Sequence, residues 1–81
     1  MERAQLLRIL EALLFASAEP LRESVLKQRL PPEADLEDLL SELRVQYAPR
    51  GVNLVRSGDR WALRTAPDLK NSLRLEVTLP R

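Results

Sequence analysis

Prolines divide the first fifty residues into three blocks, and each block carries an apolar stripe at helical spacing. Pro20, the pair Pro31 and Pro32, and Pro49 stand between the blocks. Proline lacks the amide that a helix interior needs, and it pushes the preceding residue toward extended angles. No helix can run through these positions, so three are expected, over residues 2–17, about 21–30 and about 33–48. In the first, Leu6, Ile9, Leu10, Leu13, Leu14 and Ser17 recur at three- and four-residue steps. Leu7 widens that face and Phe15 lies almost opposite Leu6, so the helix is expected to be covered on more than one side. A phenylalanine so placed is more often core than interface, and both readings stay open for Phe15. The second helix turns Leu21, Val25, Leu26 and Leu30 inward, and the third turns in Leu36, Leu39, Leu40, Leu43 and Tyr47.

After Gly51 the period changes from helical to alternating. Residues 52–56 and 60–65 read as two strands joined through Ser57, Gly58 and Asp59, where Gly58 supplies the positive φ a tight turn needs. Val52 and Leu54 share one face of this ribbon, and Trp61 and Leu63 share another. Arg56, Arg60 and Arg64 alternate with them and are expected together on one exposed side. An isolated hairpin is marginal in water, so this one must lie on the helices. Pro67 opens a last helical turn or two, from Asp68 to about Leu73. Leu73, Leu75, Val77 and Leu79 then alternate as a strand or a linker.

Three helices followed by a hairpin make the expected class α+β, mainly α, a winged helix-turn-helix: three helices, a two-stranded β-hairpin wing and a short C-terminal helical segment. Residues 1–74 would form this domain and 75–81 a tail or linker. A core of this size leaves a thin margin of stability, and a partner chain would add to it. With no cysteine, no disulfide can compensate, as a small secreted domain would usually require. The first residues run straight into the amphipathic pattern rather than a signal-peptide block, and no stretch approaches the roughly 18 apolar residues of a membrane span. A cytoplasmic location is expected.

The reactive repertoire is narrow. Without histidine, none of Ser17, Ser24, Ser41, Ser57 and Ser72 has the imidazole base of a Ser-His-Asp arrangement. Zinc sites need His or Cys in nearly every case, and Gly51 and Gly58 stand too far apart for a phosphate loop. Asp35, Glu37, Asp38 and Glu42 sit along a leucine-striped helix and read as its solvated side. No catalytic, cofactor or metal site and no small-molecule substrate are expected.

Charge separates the remaining alternatives. Residues 33–47 hold Glu33, Asp35, Glu37, Asp38 and Glu42 against Arg44, a net of −4 from five acids and one base. Residues 50–65 hold Arg50, Arg56, Arg60 and Arg64 against Asp59. In a helix-turn-helix DNA reader the second motif helix enters the major groove, and that is the acidic one here. Carboxylates repel the phosphates whose neutralisation supplies most of the affinity. Direct DNA binding is therefore not expected. Its best remaining route is the alternative reading, a winged helix touching the DNA backbone through Arg56, Arg60 and Arg64. The same arginines are the candidates for contact with a protein partner.

The segment from Leu10 to Leu21, LEALLFASAEPL, resembles the bacterial segregation and condensation protein B (ScpB) family, whose first helix carries an EALLF-A-S-x-E-P-L signature. The likeness continues through the leucines 36, 39, 40 and 43, through Tyr47 with Arg50-Gly51-Val52-Asn53-Leu54-Val55, and through Trp61-Ala62-Leu63-Arg64-Thr65, spanning about residues 10–69. The resemblance implies two tandem winged helices, homodimerisation, and assembly with an ScpA-type kleisin and an SMC ATPase in chromosome condensation and partition, at the nucleoid. A second winged helix is not expected within this chain. In the family the amino-terminal domains are mainly associated with self-association. The expected function is therefore that of a non-enzymatic homodimerising subunit, with Leu7, Glu11, Leu14 and Phe15 as candidates for the dimer surface.

Overall fold

The fold, taken from a computed structural model, is described for residues 1–69. It is α+β, with three helices and one three-stranded antiparallel sheet, an arrangement compatible with a winged helix. Helix α1 spans Arg3–Ala16 and buries Leu7, Leu10 and Leu14 along one edge. It ends where Ser17 turns extended; the Ser17 hydroxyl donates to the Glu19 carbonyl at 2.6 Å, and Pro20 follows.

Strand β1, Leu21–Arg22, comes next, and helix α2 occupies only Glu23–Gln28. Here the structure corrects the expected helix from 21 to 30. Leu21 lies opposite Trp61 across an antiparallel pair, and Arg22 lies opposite Arg60. Pro20 keeps Glu19 out of helical angles, and pairing of Leu21 with the tryptophan takes the place of the expected first helical turn. Leu26 and Leu30 are buried, as the helical spacing required.

Helix α3 spans Leu36–Tyr47 and begins later than expected, because Asp35 caps it: the Asp35 carboxylate accepts from the Asp38 amide at 3.2 Å. Such a cap contributes about 1 kcal/mol. Leu36, Leu39, Leu40, Leu43 and Tyr47 are all buried, so the predicted stripe is the core face. At the other end the Asn53 side-chain amide donates to the Tyr47 carbonyl at 2.8 Å, satisfying a backbone acceptor that the helix leaves open.

Strand β2, Val52–Ser57, and strand β3, Arg60–Thr65, form the hairpin, and β3 is central in the order β1-β3-β2. Gly58 has φ 64°, while Asp59 stays at negative φ, the type II′ pattern that suits strand twist. Pairing of Leu54 with Leu63 and of Arg56 with Trp61 puts all four on the inner face. Arg60 and Arg64 lie on the outer face, so the three arginines do not share one side. The reason is the period-2 rule: Arg56 is two residues from buried Leu54, whereas Arg60 and Arg64 are odd steps from Trp61 and Leu63.

A clasp joins α2 to the hairpin. The Glu23 amide donates to the Asp59 carbonyl at 2.8 Å, and the Trp61 indole N–H donates to the Glu23 carboxylate at 2.8 Å. The Arg56 guanidinium stands 5.6 Å from the Trp61 ring centroid, 3.9 Å from Glu23 Oε2, and donates through Nε to the Gly58 carbonyl at 2.8 Å. Arg56 is thus a structural residue. After β3 the chain makes a short 3-10 turn, Pro67–Leu69; the rest of the expected C-terminal helix, the alternation from Leu73 to Leu79 and the tail at 75–81 lie outside the described residues.

Replacing Arg56 by alanine is expected to lower stability by about 1 kcal/mol, from the lost stacking and hydrogen bond. Arg64→Ala, on the outer face, should stay within about 0.5 kcal/mol of the parent. Urea unfolding of the two variants side by side distinguishes them.

Candidate functional site

Because α1 buries the edge formed by Leu7, Leu10 and Leu14, its opposite side is turned to solvent. That side is largely apolar. At 100° per residue Ile9, Ala12, Leu13, Phe15 and Ala16 fall within about half of the helix circumference, a sector that also holds Gln5 and Arg8. Ile9 and Leu13 are partly buried against the core, while Ala12, Phe15 and Ala16 are exposed. Ile9, Ala12, Leu13, Ala16 and Ser17 line one shallow depression, and Arg8, Glu11, Ala12, Phe15 and Tyr47 line its neighbour. Ala12 is common to both, and Phe15, in the second, has 82% of its surface exposed. Isolated exposed apolar residues are ordinary; here an exposed phenylalanine adjoins further apolar side chains of the same helix.

The polar border of this surface is built from α1 and the end of α3. The Tyr47 hydroxyl donates to the Glu11 carboxylate across the two helices. The Arg50 guanidinium lies over the Tyr47 ring, 5.1 Å from its centroid. The Tyr47 phenol is held above its ordinary range, first because its hydroxyl donates a hydrogen bond to the Glu11 carboxylate and then because it is buried, against a smaller lowering by Arg50. Glu11 is fixed in place by this bond.

The four residues expected at a dimer surface divide. Leu7 and Leu14 belong to the core, Leu14 with only 3% of its surface exposed, and present nothing to a partner in this conformation. Phe15, for which core is the commoner reading, lies outside with Glu11 at the edge of the same depression. The cause is a rotation of the helix: its buried edge is centred on Leu7, Leu10 and Leu14 rather than on Leu6, Ile9 and Leu13, which are only partly covered. Sequence reasoning overlooked Ala12 and Ala16. Their signal was present, since Ala12, Phe15 and Ala16 recur at three- and four-residue spacing, but alanine suits core and surface alike.

The acids of α3 are not simply a solvated row. Asp38 accepts from Arg3 at 2.8 Å, and Glu42 accepts from Arg3 Nε at 2.5 Å, fastening the start of α1 to α3. Asp35 is spent on the cap, leaving Glu33 and Glu37 exposed without an ion pair among the described residues. Of the three wing arginines, Arg56 is bound in the clasp, while Arg60 and Arg64 remain exposed on the outer side of the sheet.

Comparison with known proteins bears on this geometry. The family described as "Segregation and condensation complex subunit ScpB" matches residues 8–79, and the chain belongs to that family. A "Segregation and condensation protein B homolog" from Coxiella burnetii is 37% identical over 65 residues, covering 74% of this chain and 31% of that protein. A crystal structure of a conserved hypothetical protein from Chlorobium tepidum superposes with a TM-score of 0.75 at 30% identity, covering 96% of this chain and 51% of the other. The chain therefore spans about a third of the length of the curated relative, 31%, and about half of the solved one, 51%.

Titration of Tyr47 gives a measurable consequence. Its pKa is raised on folding from an ordinary value of 10.0, so its contribution is complete below about that pH and is lost as pH rises through the higher folded value. Thermal melts from pH 8 upward should show stability falling above about pH 10. In Tyr47→Phe the part of this fall owed to the phenol should vanish, at the cost of about 1 kcal/mol at neutral pH from the lost hydrogen bond.

Proposed function

We propose that this member of the ScpB family is a non-enzymatic docking domain that self-associates through the outer side of α1, as one part of a segregation and condensation complex. Exposure of Phe15 at 82%, beside Ala12 in one depression with Ile9, Leu13 and Ala16 lining the adjoining one, carries this reading. A two-fold pairing would set the same strip of both copies face to face, with Glu11 and Arg8 at the rim. Burying each phenylalanine contributes about 1.5–3 kcal/mol, a large gain beside the total stability of a domain this small. The sheet with its β2–β3 hairpin is read as the wing of a winged helix. The resemblance supports an ScpA-type kleisin and an SMC ATPase as the further partners, and a place in the cytoplasm at the nucleoid.

The side chains support a binding role over a chemical one, because His and Cys are absent from the sequence and Asp35, Asp38 and Glu42 are engaged in capping and ion pairing. Exposed Glu33 and Glu37 at the start of α3 oppose entry of that helix into a DNA groove.

Sedimentation across a dilution series is expected to show a dimer that dissociates reversibly. Phe15→Glu, at an exposed position, should keep the helical circular dichroism and weaken association roughly a hundredfold or more, since both copies lose the contact. Leu14→Glu, a core substitution, should unfold the domain instead. A parent protein that stays monomeric at millimolar concentration, or a Phe15→Glu variant that still dimerises, would overturn the proposal.

A further inference from the structure

The outer face of the sheet has a chemical pattern that neither the core nor the α1 surface uses. Arg22 and Arg60 sit directly opposite each other on β1 and β3. Four residues along β3 from Arg60 comes Arg64, and between them the Val55–Ala62 pair occupies the middle of the face. Arg22, Arg60 and Arg64 are exposed, Val55 has 36% of its surface exposed, and none of the three arginines makes an ion pair among the described residues. Like charges directly opposite on an antiparallel pair destabilise the sheet. A carboxylate placed between the two guanidinium groups would turn that repulsion into a two-fold attraction.

We propose that this face docks an acidic segment of a partner protein in extended form, with carboxylates at positions i and i+4 and an apolar residue at i+2. The spacing carries the argument. Side chains two apart on a strand are about 6.6 Å apart, so the face reads cation, apolar, cation at the same step at which an extended peptide presents alternate side chains. One carboxylate meets Arg22 and Arg60, the apolar side chain covers Val55 and Ala62, and the second carboxylate meets Arg64. A nucleic-acid strand fits less well, because its unbroken series of phosphates would set a charge over the apolar pair, where no donor satisfies it. This surface is separate from the α1 strip and does not depend on self-association.

The test uses the whole chain and a fluorescein-labelled synthetic peptide, Ser-Glu-Ser-Leu-Ser-Glu-Ser, followed by anisotropy at low salt and by amide shift mapping. Saturable binding is expected, with shifts on β1 and β3. It should weaken at least tenfold for Arg60→Gln, for Arg64→Gln and for the peptide with both acids changed to glutamine. Arg22→Gln should lose affinity while its urea midpoint is equal to or above that of the parent, which separates a docking residue from a structural one. Phe15→Glu should bind the peptide unchanged. Absence of peptide binding, equal binding by the arginine variants, a lowered urea midpoint in Arg22→Gln, or tighter binding of a 20-base-pair duplex through these arginines would each overturn the proposal.

Discussion

The packing of one edge of α1 determines most of what else this domain presents. Leu7, Leu10 and Leu14 face the leucines of α3 and the inner side of the sheet in a single cluster. Interiors of this kind are close-packed, so the helix cannot rotate without opening voids beside several leucines at once. Holding that edge inward forces the opposite side, with Phe15, Ala12 and Ala16, outward. An apolar surface strip is thus a geometric consequence of a helix with more apolar residues than one contact can cover.

The second constraint is the junction between α2 and the hairpin. Glu23 links the two through its backbone amide and its carboxylate, to Asp59 and Trp61, and Arg56 closes the group from the β2 side. In a chain without disulfides, such partly buried polar contacts orient elements that the leucine core alone would hold less specifically. They also give the sheet two different sides. Arg56 is drawn inward over the tryptophan, and the remaining arginines are left facing solvent around Val55 and Ala62.

Electrostatics follow the same division between internal and external use. Arg3 binds Asp38 and Glu42, tying the two long helices together at exposed positions where each ion pair contributes little alone. Among the described residues no ion pair joins the acidic block to the basic one. Each block is divided between residues that hold the fold and residues left exposed.

Much was legible from the amino-acid order. Proline positions set the breaks between helices, the stripe from Leu36 to Tyr47 identified the core side of α3, and Gly58 marked the turn. These succeed because they are local: a missing amide, a 3.6-residue period and a positive φ act on the chain wherever it folds. The two-residue strand at Leu21 was invisible, since two residues carry no period and the pairing depends on Trp61, forty positions away. The side taken by Phe15 was equally hidden, because it depends on which of two adjoining leucine edges packs better. The face of Arg56 was misjudged although strand alternation already linked it to Leu54. Residue order determined the three helices and the hairpin to within a few positions; the third strand, which faces met, and so which side chains were left exposed, were decided only when non-local packing chose among alternatives that each segment alone left nearly equal in energy.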